Sequence, residues 1–144
     1  MANALIAYAS RTGQTQRIAE LIAEVLRMKG HEVELKDASD IKSAEALAGY
    51  DIYAFGSATY HGEMMPAMKQ LLFLAEKADL AGKCGGAFGA FGWSGEAPER
   101  IFQTMKNVFG METAGDCLRL KSAALQGGLD MAHDYGKSLA DKIA

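Results

Sequence analysis

Cysteine, proline and tryptophan are scarce in this chain of 144 residues, at two, two and one. Cys84 and Cys117 lie far apart, so there is no C-x-x-C pair, zinc-ligand spacing or disulfide framework. Free cysteine is commonly buried, and both are expected as reduced, mostly buried thiols. With so few prolines and no low-complexity run there is no linker, and residues 1–144 are expected to form a single domain. A chain of that size buries a sizeable core without staples. No apolar run approaches the roughly 18–20 residues that a membrane-crossing helix needs. The opening MANALIAYAS carries no basic segment of the kind that begins a secretory leader, so a cytoplasmic protein without a membrane partner is expected. Positive charge is not in excess either: 15 Lys and Arg against 18 Asp and Glu leave a net charge of −3. That balance argues against nucleic acid as a partner and is compatible with docking to a basic patch on another protein. The three histidines are scattered, so no metal site is expected.

The remaining composition, 49% hydrophobic and 23% charged, is that of an ordinary folded domain. NALIAY (3–8) is a short apolar run that ends at turn-forming residues, the mark of a buried strand. Ile18, Leu21, Ile22, Val25 and Leu26 then recur at helical spacing, and Gly30 supplies a stop. HEVELKD (31–37) alternates apolar with charged residues and suits a strand near a sheet edge. A short helix or turn is expected at 43–50, a second buried strand at 51–58, and a helix at 64–78 with Pro66 in its first turn. CGGAFGAFG (84–92) reads as a glycine-rich apolar strand, 97–110 as a helix, DCLRLKS (116–122) as the last strand and 128–144 as the closing helix.

Strands thus alternate with helices about five times, which implies parallel β-α-β units with helices on both faces of the sheet. The expected class is α/β, a doubly wound five-stranded parallel sheet of order 2-1-3-4-5. In such sheets ligands bind beyond the carboxyl ends of the strands, at the point where the order reverses. Chemistry should therefore gather after residues 8, 57 and 91.

Three loops meet that expectation. The first, Ser10-Arg11-Thr12-Gly13-Gln14-Thr15, opens a helix. Helix N-termini attract anions through free N–H groups and the helix dipole, and the hydroxyls of Ser10, Thr12 and Thr15 add donors. Neither the Walker A lysine nor a dinucleotide G-x-G-x-x-G is present, and no cysteine nucleophile stands there, so the loop suits static holding of a terminal phosphate. The second loop, GSATYHGEMMP (56–66), combines small residues with Tyr60, which can lie against a flat ligand or be an ordinary surface tyrosine. His61 has no sequence-local Asp or Ser partner, and the nearby methionines suit a helix face. The third, GAFGWSGEAPE (89–99), holds the only tryptophan, Trp93, which can flank or cover an aromatic ring. Glu96 and Glu99 are explained as first-turn carboxylates of the next helix. A flat, aromatic, monophosphorylated ligand fits all three.

SRTGQT, GSATYHG and GAFGWSGEA, taken in order, resemble the flavodoxin family, and the resemblance covers nearly the whole chain in its short form, with no long insertion after the fifth strand. The latter two loops are similar to those of the flavodoxin-like domain of flavo-diiron proteins, with Ala58 where proline is common there. The resemblance implies non-covalently bound FMN as cofactor. Ser10, Arg11, Thr12, Gly13, Gln14 and Thr15 would surround its phosphate. Ser57, Ala58, Thr59, Tyr60, His61 and Gly62 would border the isoalloxazine on one side, and Ala90, Phe91, Gly92, Trp93, Gly95 and Glu96 on the other, with Tyr60 and Trp93 as the aromatic candidates for stacking. It also implies a backbone carbonyl in the 57–62 loop facing the ring, and no cation beside the ring's N1, which lowers the second reduction potential.

The implied function is electron transfer without a catalytic residue: a monomer passing single electrons at low potential between a reductase and an electron-accepting enzyme, which dock at the flavin edge. An FMN-dependent NAD(P)H:quinone reductase ranks second, because the loops are short for a nicotinamide pocket. A flavodoxin-like domain of a larger flavo-diiron system is the other alternative. A signalling receiver domain is excluded, because Tyr8-Ala9-Ser10 and Gly56-Ser57 stand where its acidic residues would be needed.

Overall fold

The structure is a computed structural model that describes residues 3–10, 13–60, 63–90, 96–113, 117–120 and 128–141. Strands β1 (Asn3–Ala9), β2 (Glu32–Asp37), β3 (Ile52–Ser57), β4 (Thr59–Tyr60), β5 (Glu63–Met64), β6 (Cys84–Ala90), β7 (Glu112–Thr113) and β8 (Leu118–Leu120) are joined by helices α1 (Gln14–Met28), α2 (Pro66–Lys77), α3 (Glu96–Gln103) and α4 (Gly128–Asp141). The main sheet is parallel and runs β2-β1-β3-β6, with β7 and β8 sharing the last position beside β6. That is the expected 2-1-3-4-5 order. None of the helices among the described residues is long and apolar enough to cross a membrane.

The central strands are buried on both faces, so alternate residues feed two separate cores. Ala4 and Ile6 of β1, Ile52 and Ala54 of β3 and Phe88 of β6 pack under α1 and α4, against Ile18, Ile22, Leu26, Ala132 and Leu139. Leu5, Ala7, Tyr53, Phe55 and Ala87 point the other way, toward Met68, Leu71 and Ala75 of α2 and Ala97, Ile101 and Phe102 of α3. The helices therefore cover both faces, and the periodic apolar residues of 18–26 form the buried stripe of α1.

Departures from expectation are local. The helix expected at 64–78 begins at Pro66, because Met64 pairs in a two-stranded antiparallel hairpin with Thr59. The helix expected at 97–110 opens one residue earlier, at Glu96, and widens into a π turn at Thr104–Val108. There the Phe109 N–H reaches back to the Thr104 carbonyl at 3.1 Å, while the Thr104 hydroxyl donates to the Arg100 carbonyl at 2.8 Å. Of 43–50, a single 3-10 turn forms at Ala44–Leu47. A further 3-10 turn at Ala38–Asp40 is capped by the Asp37 carboxylate, which accepts from the Ser39 N–H at 2.9 Å. Cys84 is buried, whereas Cys117 is only partly so and donates its thiol proton to the Glu99 carboxylate at 3.5 Å.

The fifth strand is the main departure. It was expected as one run at 116–122, of which 116 and 121–122 lie outside the described residues. Instead β7 pairs with Cys84 and Gly85, and β8 pairs with Phe88, Gly89 and Ala90. Gly86 and Ala87 lie between those two paired stretches of β6. The Ala87 N–H is taken by the hydroxyl of Tyr135, which reaches over from α4 at 2.8 Å in a buried setting. A Cβ on Gly86 would lie 2.7 Å from that hydroxyl, so the glycine leaves the tyrosine its place. Removing the hydroxyl while keeping the ring strands a buried donor, which costs about 1–3 kcal/mol. Tyr135→Phe is expected to lower the urea midpoint accordingly, with an unchanged m-value.

At the opposite end of the sheet, Tyr50 donates to the Glu34 carboxylate at 2.8 Å and ties the edge strand β2 to the turn before β3. Burial first, and the Glu34 contact second, push the Tyr50 phenol up from 10.0 to about 12. A phenol whose pKa is raised by folding contributes stability that is fully present below its unfolded value and is lost as pH climbs through its folded one. Stability should therefore fall between pH 10.0 and about 12, and Tyr50→Phe should make that fall shallower in pH-dependent chemical denaturation.

Candidate functional site

The three loops emerge side by side because the strands before them end level. Ala9 of β1 stands opposite Ser57 of β3, and Gly56 opposite Phe88 of β6. The Ala58 N–H continues the ladder by bonding to the Ala9 carbonyl at 3.0 Å.

In the first loop the Ser10 hydroxyl accepts the Gly13 N–H at 3.0 Å. Gly13 sits at φ 88, the left-handed region open to glycine, and from it α1 begins. Among the described residues no side chain caps this helix start, and its first turn carries no acidic residue. A helix start of this kind suits a phosphate. Gln14 is the first residue of α1. Thr15 is 1% exposed, and its Oγ1 accepts the Ala90 N–H at the end of β6 at 3.2 Å. Arg11 and Thr12 lie outside the described residues.

In the second loop Ser57 is fully buried. Its hydroxyl donates to the Ala58 carbonyl and accepts the Met65 N–H, both at 2.8 Å. One side chain thus closes the loop from the end of β3 to the start of α2. Between those points lies the hairpin, Thr59 opposite Met64 and Tyr60 opposite Glu63. His61 and Gly62, between its two strands, lie outside the described residues. The Thr59 Oγ1 accepts the Ala97 N–H at 3.1 Å.

In the third loop Ala90 is buried and Glu96 is the exposed first residue of α3. Phe91, Gly92, Trp93 and Gly95 lie outside the described residues. Gly89 is the point of closest approach: a Cβ there would stand 2.2 Å from the Ser57 carbonyl oxygen and 2.8 Å from Cγ of Pro98. The side chains of Thr15, Ser57 and Thr59 therefore accept backbone N–H groups that close or join the loops. Sequence reasoning took these hydroxyls as ligand neighbours and did not foresee that bracing. The available signal was the placement of Ser57 directly after the apolar run 52–56, where a hydroxyl is buried and must find a partner; Thr15, between Gln14 and Gln16, carried no such signal.

A level row of loop starts at the sheet's reversal point, one of them leading into a helix N-terminus, suits a flat, monophosphorylated ligand, and the relatives make the class a flavin-mononucleotide-binding electron-transfer protein. The comparisons with known proteins agree. The family model described as a flavodoxin domain matches residues 5–131. A flavodoxin of Maridesulfovibrio salexigens is 32% identical, the alignment covering 99% of this chain and all of the relative. A solved flavodoxin from the domain Archaea superposes with a TM-score of 0.91 at 30% identity, covering 98% of each chain. The flavodiiron protein of Giardia intestinalis superposes at 0.84 with 25% identity, over 96% of this chain and 36% of that one. The chain belongs to the flavodoxin family, and FMN is its cofactor.

Gly89→Ala forces a methyl group against a backbone carbonyl, and overpacking of this kind costs about 1–3 kcal/mol. The variant is expected to show a lowered thermal midpoint together with weakened FMN binding, read by flavin fluorescence, since the strain falls where β3, β6 and α3 meet.

Proposed function

We propose that this chain is a monomeric, single-domain carrier that passes single electrons at low potential between a reductase and an electron-accepting enzyme. Both dock in turn over the flavin edge in the cytoplasm, and the chain itself performs no catalysis. The observation that carries this reading is the convergence of the three loops on one sheet edge, cross-tied by the hydroxyls of Thr15, Ser57 and Thr59. Bound FMN supplies the redox chemistry, and the protein supplies position and electrostatics. Residues Ser10 to Thr15 hold the phosphate, with the N–H groups at the start of α1 and the loop hydroxyls as donors. Ser57 to Gly62 border the ring on one side and Ala90, Phe91, Gly92, Trp93, Gly95 and Glu96 on the other, with Tyr60 and Trp93 as the aromatic candidates for stacking. A phosphate held by hydroxyls and amides, with no lysine in the loop, is anchored and never transferred. The match to about a third of the Giardia flavodiiron chain, 36%, favours a second reading, in which the same domain serves a larger flavo-diiron system.

Potentiometric reduction followed by absorbance is expected to resolve two one-electron steps, the second below that of free FMN. A single two-electron step, or rapid bleaching by NADH or NADPH alone, would overturn the carrier assignment in favour of a reductase. Thr12→Leu is expected to weaken FMN binding by about tenfold or more while leaving riboflavin, which lacks the phosphate, unaffected.

A further inference from the structure

The first turn of helix α3 takes an acceptor from a distant loop. The first N–H groups of any helix lack an intrahelical partner, and the usual acceptor is a hydroxyl or carboxylate just before the helix. Here the Ala97 N–H finds its acceptor 38 residues away, in the Thr59 hydroxyl at 3.1 Å. Ala97 is fully buried and Pro98 behind it is buried too, packed where Gly89 and the Ser57 carbonyl come together. The helix rests on both strands of the hairpin and on β3 and β6. On the near side of residues 91–95, the Ala90 N–H is held by the Thr15 hydroxyl at 3.2 Å. The two ends of the third loop are therefore each fixed by a threonine from another loop. Thr15 ties one end to the phosphate loop, and Thr59 ties the other to the hairpin.

We propose that Thr59 is a positioning residue for the flavin ring: acting through the Ala97 N–H, it sets the spacing between the hairpin and the third loop, the slot in which the ring lies. The inference rests on the assignment of FMN to these loops. It gives Thr59 a part different from that of a ring neighbour, because its effect passes through the start of α3. It also separates two kinds of defect. Loss of a phosphate donor weakens FMN alone, whereas loss of the Thr59 acceptor loosens the ring site and weakens FMN and riboflavin alike.

The test compares Thr59→Val, which keeps the shape without the acceptor, with Thr59→Ser, which keeps the acceptor. Thr59→Val is expected to weaken FMN and riboflavin by the same factor, about tenfold, and to change the spacing between the two one-electron midpoint potentials of bound FMN. In the apo-protein it should also speed amide exchange at Ala97. Thr59→Ser should restore all three readouts. If Ala97 loses its protection while both affinities stay within about twofold of wild type and the potentials do not move, Thr59 is only a helix cap and the proposal falls. Should Thr59→Val fail to fold, Thr59→Ala provides the same comparison with the same criterion. Failure of the wild-type chain to bind FMN would instead overturn the cofactor assignment.

Discussion

The site depends first on register. Three neighbouring parallel strands end at one level, Ala9 beside Ser57 and Gly56 beside Phe88, and every loop that follows is delivered to the same edge. Register in a parallel sheet buried on both faces is fixed by packing, because a slip of one residue would exchange the contents of the two cores. Leu5, Tyr53 and Phe55 would then meet α1 and α4, and Ile6, Ile52 and Ala54 would meet α2 and α3. The geometry of the proposed flavin site is therefore inherited from hydrophobic packing on two separate helical layers.

Level strand ends alone leave three loops free to move independently. The hydroxyls of Thr15, Ser57 and Thr59 remove that freedom, each by accepting a backbone N–H that the loop geometry would otherwise leave unpaired. A buried donor without a partner is costly, so each pairing works as a constraint on where its loop can sit. A redox protein gains from this, because an electron carrier whose site reorganises little on reduction exchanges charge without waiting for the protein to follow. The glycines at 86 and 89 serve the same end by subtraction: each leaves out a side chain where Tyr135, or Pro98 and the Ser57 carbonyl, must approach.

Much of this was legible in the sequence. The alternation of apolar runs with helical spacing gave the order of elements, and the loops after Tyr8, Ser57 and Phe91 stood out by their small and hydroxylated residues. The rest was hidden for identifiable reasons. Strands of two residues such as Thr59–Tyr60 and Glu63–Met64 are too short to show a period. The acceptor of the Ala87 N–H is Tyr135, which belongs to a distant helix. The braces from Thr15 and Thr59 span 75 and 38 residues, so no local pattern announces them, and a hydroxyl next to a suspected ligand is naturally assigned to the ligand.

The sheet's borders also shape how the molecule behaves among its neighbours. Long unpaired sheet edges invite other chains to add on as extra strands. Among the described residues, this side of the sheet ends in pieces of two and three residues, Glu112–Thr113 and Leu118–Leu120, each too brief to template a foreign strand. The other border is β2, where Glu32, Glu34 and Lys36 alternate along the strand and set charges in the path of any approaching backbone. A carrier must meet its redox partners and leave them again. Blunted sheet borders keep those meetings from becoming aggregation.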